Sequence, residues 1–288
     1  MSRFLLLLIA LVVPATWLAA QEDGANAQTT PWPGIKLVAT ARQEPRPLRI
    51  WWAEIDLDHP RLELFTTPAA EVPDSFHLPA ETALDFAERT GAVLAINASP
   101  FSPLTKEKGA PVRIEGLHLT AGTVLAPARE HFAVLLFGSD RRGRIVAPPV
   151  PRAEVETARE GVGGFSQLVY EGRNVFADED RQAPLHPRTA VGLSRDGRVM
   201  HWFVVDGRQP RSLGMTQREL AELGISRGCW SMINLDGGGS TTLVLRSPET
   251  RGCQVVNQPV GRTLPGTLRL NGNHLGLRLR EQPPAPAP

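Results

Sequence analysis

The sequence predicts a mixed α/β chain of the α+β kind: a strand-rich mixed sheet core with few short helices, folded as a single domain. Three observations carry this. Short runs of β-branched, aromatic and aliphatic residues recur between turn residues along most of the chain, and 26 Gly and 26 Pro in 288 residues leave little room for long helices. Only two segments combine helical periodicity with recognisable ends. The length and the 42% hydrophobic content suffice to bury one sizeable core.

The elements follow in order. Residues 1–20 read as a signal peptide: Met1, Ser2 and Arg3 precede an apolar run, and Leu18, Ala19 and Ala20 offer a small-residue cleavage site before Gln21. The run is short for a membrane span, so an exported protein, periplasmic or extracellular, with no stable membrane insertion after cleavage is expected. No Cys stands at the cleavage position, which argues against a lipoprotein anchor; an uncleaved N-terminal anchor stays open. Without this segment Arg3 is lost, and 31 Lys+Arg against 30 Asp+Glu becomes an even balance. That neutrality argues against a general binder of nucleic acid or anionic membrane.

Residues 21–47 are polar and broken by proline, as in a linker or N-terminal extension that becomes ordered near Leu37 or later, and the main domain is expected at 48–280. Residues 48–64 alternate like a hairpin that turns at Asp58, His59 and Pro60. A helix is expected at 80–90, with Ala83, Leu84 and Ala87 on one face and Gly91 as its stop. It leads into a buried strand at 92–96 that ends on Asn97, where Pro100 prevents continuation. Residues 102–118 read as loop, and 132–137 as a strand turning at 139–143. Paired glycines in GVGGFSQLVYEG (161–172) precede a strand at 168–170. Arg195, Asp196, Gly197 and Arg198 mark a hairpin between 190–193 and 199–205. Thr216 and Glu219 form a capping box, Met215 and Leu220 a hydrophobic staple, and Gly224 closes this second helix. Extended pieces are expected at 255–257, 268–270 and 275–279. Residues 281–288 form a Pro/Ala tail with little to bury.

The stretch around which function is expected is NLDGGGSTTLVL, residues 234–245. An apolar run ends on a carboxylate, three glycines and a hydroxyl follow, and a strand comes next. Such glycines let backbone N–H groups converge on an anionic oxygen. The Gly-Lys-Ser/Thr ending of a nucleotide-binding loop is absent. The competing reading is a tight turn; Asp236 and Ser240 at its ends favour a site. Cys229 and Cys253 flank this motif and could pair in an oxidising compartment, or remain two thiols. A second, weaker pattern repeats: helix, glycine, strand and polar stop occur at 84–97 and at 220–236. Two such strands lying in one sheet with one direction would bring Asn97 and Asp236 to the same edge.

Several of these motifs together resemble the phosphodiester glycosidases. The resemblance lies in a strand followed by Asn97, Ala98, Ser99, Pro100 and Phe101, in the pair Gly163 and Gly164, and in Pro-Arg-Thr-Ala-x-Gly from Pro187 to Gly192. It continues in Asp206, Gly207 and Arg208, in the stretch from Gly214 to Ala221, in Asn-Leu-Asp-Gly-Gly-Gly-Ser from Asn234 to Ser240, and in the closing segments around Asn257 and Asn273. Ala98 and Ser99 depart from the family's two glycines, and a Cβ there would narrow access to the backbone.

The resemblance implies a glycoside hydrolase that takes a sugar, N-acetylglucosamine-like, from a sugar-1-phosphodiester. Asp236 is then the first candidate for nucleophile or base and Asp206 the second, although Asp before Gly is also a common turn residue. Arg188 is the leading phosphate ligand and Arg208 the alternative, since a guanidinium pairs two oxygens at once; a surface ion pair is the plainer role for Arg208. Asn97, Thr189 and Asn234 could hold sugar hydroxyls or orient carboxylates, and Gly237, Gly238, Gly239 and Ser240 complete the substrate-binding set. His186 could shuttle a proton, and Trp202 and Trp230 could stack on a sugar, with structural roles the simpler reading of all three. Cys and His show no zinc spacing and no carboxylate cluster demands a cation, so no cofactor is expected; Asp236 with main-chain oxygens is the position that could take Ca²⁺. The other functions open to this sequence are hydrolysis of ordinary α-glycosides in cell-wall or exopolysaccharide material, and a non-catalytic polysaccharide-binding or envelope-assembly module.

Overall fold

A computed structural model describes residues 26–180, 182–261 and 264–280. The expected leader at 1–20 and tail at 281–288 lie outside them. The described residues form a mostly β architecture with three short helices, Ala83–Thr90 (α1), Arg152–Glu156 (α2) and Gln217–Ser226 (α3). This corrects the expected mixed sheet. All strand-to-strand pairings are antiparallel. The reason is that the one capped helix joining two like-directed strands of a sheet, α3 between Val199–Val205 and Ser231–Asn234, leaves Arg188–Leu193 inserted between them, and that strand pairs antiparallel with both, so no parallel ladder forms.

The largest sheet has eight strands, in the order Asn26–Trp32, Ile35–Arg42, Leu48–Asp56, Val199–Val205, Arg188–Leu193, Ser231–Asn234, Ser166–Tyr170, Arg173–Asn174. A five-stranded sheet runs Cys253–Val255, Leu243–Arg246, Leu94–Asn97, His274–Leu279, Leu62–Thr66. Another runs Thr123–Ala126, His118–Thr120, Ala158–Gly164, Ala133–Gly138, Gly143–Val146, and a small sheet joins Leu78–Pro79, Pro111–Ile114 and Phe101–Ser102.

The three larger sheets close around one apolar core. Alternation along each strand decides which side chains enter it. Trp51, Ala53 and Ile55 point into the core, as do Met200, Trp202 and Val204, Leu94 and Ile96, and Leu243 and Leu245. Their neighbours Leu48, Ile50, Trp52, Phe203 and Val205 face the other way, toward Leu220 and Ala221 of α3. Ala95 and Val244 likewise meet Ala83, Phe86 and Ala87 of α1. Two sheets are thus buried on both faces, which explains why their strands read as nearly unbroken apolar runs.

Both helices begin with the reciprocal capping box, Thr82 with Asp85 and Thr216 with Glu219. Gly91 ends α1 at φ 72°, as expected. Gly224 does not end α3, which continues to Ser226 before Gly228 turns at φ 88°. A Cβ at Gly224 would lie 2.3 Å from Met232 Sδ, so this glycine serves close packing of helix on sheet.

Three further expectations are corrected. The linker or extension read at 21–47 contributes two strands from residue 26 onward, the first at the edge of the large sheet and the second paired on both sides, and Trp32, Ile35, Leu37 and Ala39 enter the core. Its prolines and glycine mark a turn rather than an unstructured segment. The hairpin read at 48–64 is a crossing: Leu48–Asp56 and Leu62–Thr66 belong to different sheets. The loop read at 102–118 contains the strand Pro111–Ile114. Cys229 and Cys253 are both free, one buried on the helix side of the large sheet, the other in a strand of the sheet beneath α1. Burial pushes the Cys229 thiol up to about 12. Thiol titration without reductant is therefore expected to find two thiols in denaturant, with Cys253 reacting first in the folded protein; a single disulfide and no thiols would contradict this packing.

Candidate active site

The two helix–strand units do not share a sheet, yet their ends meet. Leu94–Asn97 and Ser231–Asn234 face each other across the core and their continuations touch: Asp236 N donates to the Ala98 carbonyl at 2.8 Å. Asn97 stitches the junction. Its Nδ2 donates to the Asp236 carbonyl at 2.6 Å, while its Oδ1 accepts from Thr189 Oγ1 at 2.8 Å and from Thr242 N at 3.2 Å. Leu235 N adds a bond to the Thr189 carbonyl at 2.9 Å. Asn97 and Thr189 are fully enclosed, so they fix the main chain of Asp236 and do not present hydroxyl or amide groups to a ligand.

The glycine loop leaves this junction as a 3₁₀ turn, Gly238–Ser240, before the expected strand begins at Leu243. Gly238 N donates to the Pro187 carbonyl at 3.0 Å, and its φ of 59° suits glycine. A Cβ on Gly239 would lie 1.5 Å from the Gly261 carbonyl and 2.4 Å from Arg269 Nη2; on Gly238 it would come within 3.1 Å of Arg208 Nη1. Guanidinium groups therefore bracket the loop. On one side Arg208 donates to His186 Nδ1 at 2.9 Å, and Arg188, half-buried, donates through Nε to the Met215 carbonyl at 2.9 Å. Among the described residues neither Arg188 nor Arg208 forms a salt bridge with a carboxylate. Burial and the nearby Arg208 charge lower the Arg188 pKa, with Glu179 opposing, and burial with both arginines keeps His186 neutral to lower pH. On the other side Arg269 donates to Ser240 Oγ at 3.4 Å and to the Gly261 carbonyl at 3.0 Å.

The two candidate carboxylates differ in setting. Burial raises Asp236 to about 6, against the Ser240 hydroxyl, the Arg269 charge and Gly237 N–H, which favour the anion. The residue as a whole is only partly enclosed, so its carboxyl is desolvated but reachable. Asp206 is 1% exposed and pushed up to about 7, again by burial first. Its oxygens accept from Asn257 Nδ2 at 2.9 Å and from Gln258 N at 3.2 and 3.0 Å, and its carbonyl accepts from Ser212 Oγ at 2.6 Å. Asp206 thus anchors the 257–258 segment, and Asn257 in turn holds Leu243 N and the Thr241 carbonyl. Asn234 is buried with its Oδ1 unpaired. Trp202 lies in the core, and Trp230 packs under Arg195 at 4.8 Å.

The departure at Ala98 and Ser99 does not narrow the site as expected, because both side chains turn inward. Ser99 N donates to Asn273 Oδ1 at 2.8 Å, and Asn273 Nδ2 donates to Ser99 Oγ at 3.1 Å and to His118 Nδ1 at 2.9 Å. His118 completes the network by donating from Nε2 to the Thr67 carbonyl at 2.9 Å. Burial pushes His118 down to about 4, so it holds this neutral tautomer. Arg269 was missed in the sequence, where it sits between two leucines in an apparent extended piece. Asn257 and Asn273 stood in the closing segments that carry the family resemblance, without an assigned role. Among the described residues no three His, Cys, Asp or Glu side chains gather to hold a metal ion, and no helix is long and apolar enough to cross a membrane.

A family model for phosphodiester glycosidases matches residues 90–278, a span that includes both strand ends, the glycine loop and every arginine around it. The chain belongs to the phosphodiester glycosidase family. Among curated relatives, the SPbeta prophage-derived uncharacterized protein YomE of Bacillus subtilis (strain 168) is 30% identical over 170 residues; the match takes in 56% of this chain and 25% of that one, so the chain spans about a quarter of its relative. The fold is shared with solved structures at lower identity. The catalytic domain of zebrafish N-acetylglucosamine-1-phosphodiester alpha-N-acetylglucosaminidase, auto-inhibited by its pro-peptide, superposes with a TM-score of 0.64 at 19% identity over 88% of this chain and 86% of that one. A hypothetical protein from Synechocystis gives 0.64 at 13% identity over 89% and 64%. In this member of the family, Asp206→Ala is expected to cost about 1–3 kcal/mol by orphaning Asn257 and Gln258, whereas Asp236→Asn leaves the melting temperature close to wild type. Thermal unfolding of the two variants checks the assignment of one aspartate to structure and the other to the site.

Proposed function

We propose that this chain is an exported hydrolase that releases an N-acetylglucosamine-like sugar from a sugar-1-phosphodiester by breaking the bond between the anomeric carbon and the phosphate oxygen. One observation carries the reading: Asp236, a desolvated carboxylate in a residue that stays partly exposed, stands at the head of a glycine loop bracketed by Arg208 and Arg269, with Arg188 on the Arg208 side. Ordinary glycosidases place two carboxylates about the scissile bond, one of them to protonate the leaving alcohol. Asp206, the second candidate, has its oxygens hydrogen-bonded in the interior. A phosphate leaving group needs little protonation, so one carboxylate suffices.

The phosphodiester anion lies over Gly237, Gly238 and Gly239, facing the guanidinium groups of Arg208 and Arg188 on one flank and Arg269 on the other. Asp236 faces the anomeric carbon, where it acts as nucleophile or draws a proton from an attacking water. As the new bond to that carbon forms, the old C–O bond breaks and its electron pair goes to the phosphate, whose developing charge the arginines stabilise.

Asp236→Asn is expected to lower kcat by at least about a thousandfold; near-normal turnover would remove Asp236 from the mechanism. Hydrolysis of an N-acetylglucosamine-1-phosphodiester in ¹⁸O-labelled water is expected to place the label in the sugar, and label in the phosphate would show attack at phosphorus instead. Since Asp236 acts as the anion, kcat/KM is expected to fall with acidification below about pH 6. Ser240→Ala removes a hydrogen bond that favours the anion, so the acidic limb should move to higher pH; an unmoved limb would assign that ionisation to another group.

A further inference from the structure

Beside the glycine loop a cleft of about 480 Å³ opens between residues 104–106 and 264–270. Four leucines line it, Leu104, Leu264, Leu268 and Leu270, and its charged residues are two cations, Lys106 and Arg269. Leu104 is 57% exposed and Leu264 65% exposed, so neither has a place in a core. Arg269 belongs to both the cleft and the site: it lines the first and donates to Ser240 Oγ in the second. The volume is that of a small-molecule site, and apolar walls with cations and no carboxylate complement an anionic head group carrying an aliphatic chain.

We propose that the cleft receives the alcohol portion of the substrate and that this alcohol is aliphatic, making the substrate an amphiphilic sugar-1-phosphodiester. This inference rests on the phosphodiester reading of the site. With the phosphate over the glycine loop, the ester oxygen on the Arg269 side leads directly into the leucine walls. The opposite flank, with His186, Arg188 and the Met215 carbonyl, is polar. A short sugar or methyl alcohol would leave the exposed Leu104 and Leu264 facing water, whereas a chain of several methylenes covers them, at about 0.8 kcal/mol for each methylene fully buried.

Calorimetry of the full chain with n-decyl phosphate, below its micelle concentration, against methyl phosphate tests this without requiring turnover. The decyl compound is expected to bind at least about tenfold more tightly, and the double variant Leu104→Asp, Leu264→Asp is expected to lose that advantage. Both leucines are exposed, so the variant folds, which its thermal transition verifies. Equal affinity for the two phosphates, or an advantage unchanged in the variant, would overturn the proposal. A turnover arm compares the decyl and methyl diesters of N-acetylglucosamine-1-phosphate. Preferential sugar release from the decyl diester supports both readings, and release without preference refutes the aliphatic cleft. Chain-dependent binding with no sugar release from either diester keeps the cleft and refutes the glycosidase reading.

Discussion

The Asn97 side chain is the constraint on which the rest of the site depends. Strands from two different sheets end on opposite sides of one core, and nothing in their own hydrogen-bond ladders joins them. One main-chain bond, from Asp236 N to the Ala98 carbonyl, joins their continuations, and a single amide secures the junction by using both of its polar atoms, donating to the main chain of Asp236 and accepting from Thr189 and Thr242. Removed from water, such bonds are stronger than on a surface, and a lost partner costs more. The position of Asp236 is therefore set by the interior and not by the loop that carries it. Asn257 and Asn273 repeat the device at the other boundaries of the loop region, one tied to Asp206 and the other to Ser99 and His118.

This arrangement allows a glycine-rich loop to be well defined. Gly237, Gly238 and Gly239 leave no side chains between the backbone and the arginines, and a Cβ would meet the Pro187 carbonyl at Gly237, the Arg208 guanidinium at Gly238, and the Gly261 carbonyl and Arg269 guanidinium at Gly239. The loop thus brings positive charge close to a carboxylate whose burial alone would favour the neutral acid. Burial raises the Asp236 pKa, while Ser240, Arg269 and Gly237 hold the rise to a range where the anion still predominates at neutral pH. Arg269 links this balance to the leucine cleft, so the same side chain that tunes the carboxylate also borders the space beyond the phosphate.

Much of the fold was legible because local chemistry specifies it. The capping box of Thr216 and Glu219, the Gly91 stop of α1, the hairpin at Arg195 to Arg198 and the strand after the glycine loop depend on residues close together in the chain. Errors arose where one local signal serves two ends. Asp58, His59 and Pro60 do turn the chain, but a turn does not state whether the next strand pairs with the last or crosses to another sheet. Gly224 looks like a helix stop and is instead a contact point for Met232. Pro31, Pro33 and Gly34 look like a linker and are instead the tip of an edge hairpin.

Of the candidate site, the sequence by itself determined the residue types: the carboxylate before three glycines, the hydroxyl after them, and the arginines in recognisable motifs, all of which need only short stretches of chain. Tertiary structure alone decided their roles. Asp206 and Asp236 are both aspartates before glycine, and only packing encloses one with Asn257 and Gln258 while leaving the other at the loop. Arg269 lies far along the chain from the glycines, in a segment with no motif of its own. Its place is set by sheets that come together through long-range pairing, and so is the cleft it borders, because the desolvation and proximity that define a site are properties of surfaces joined in space and not of neighbouring residues.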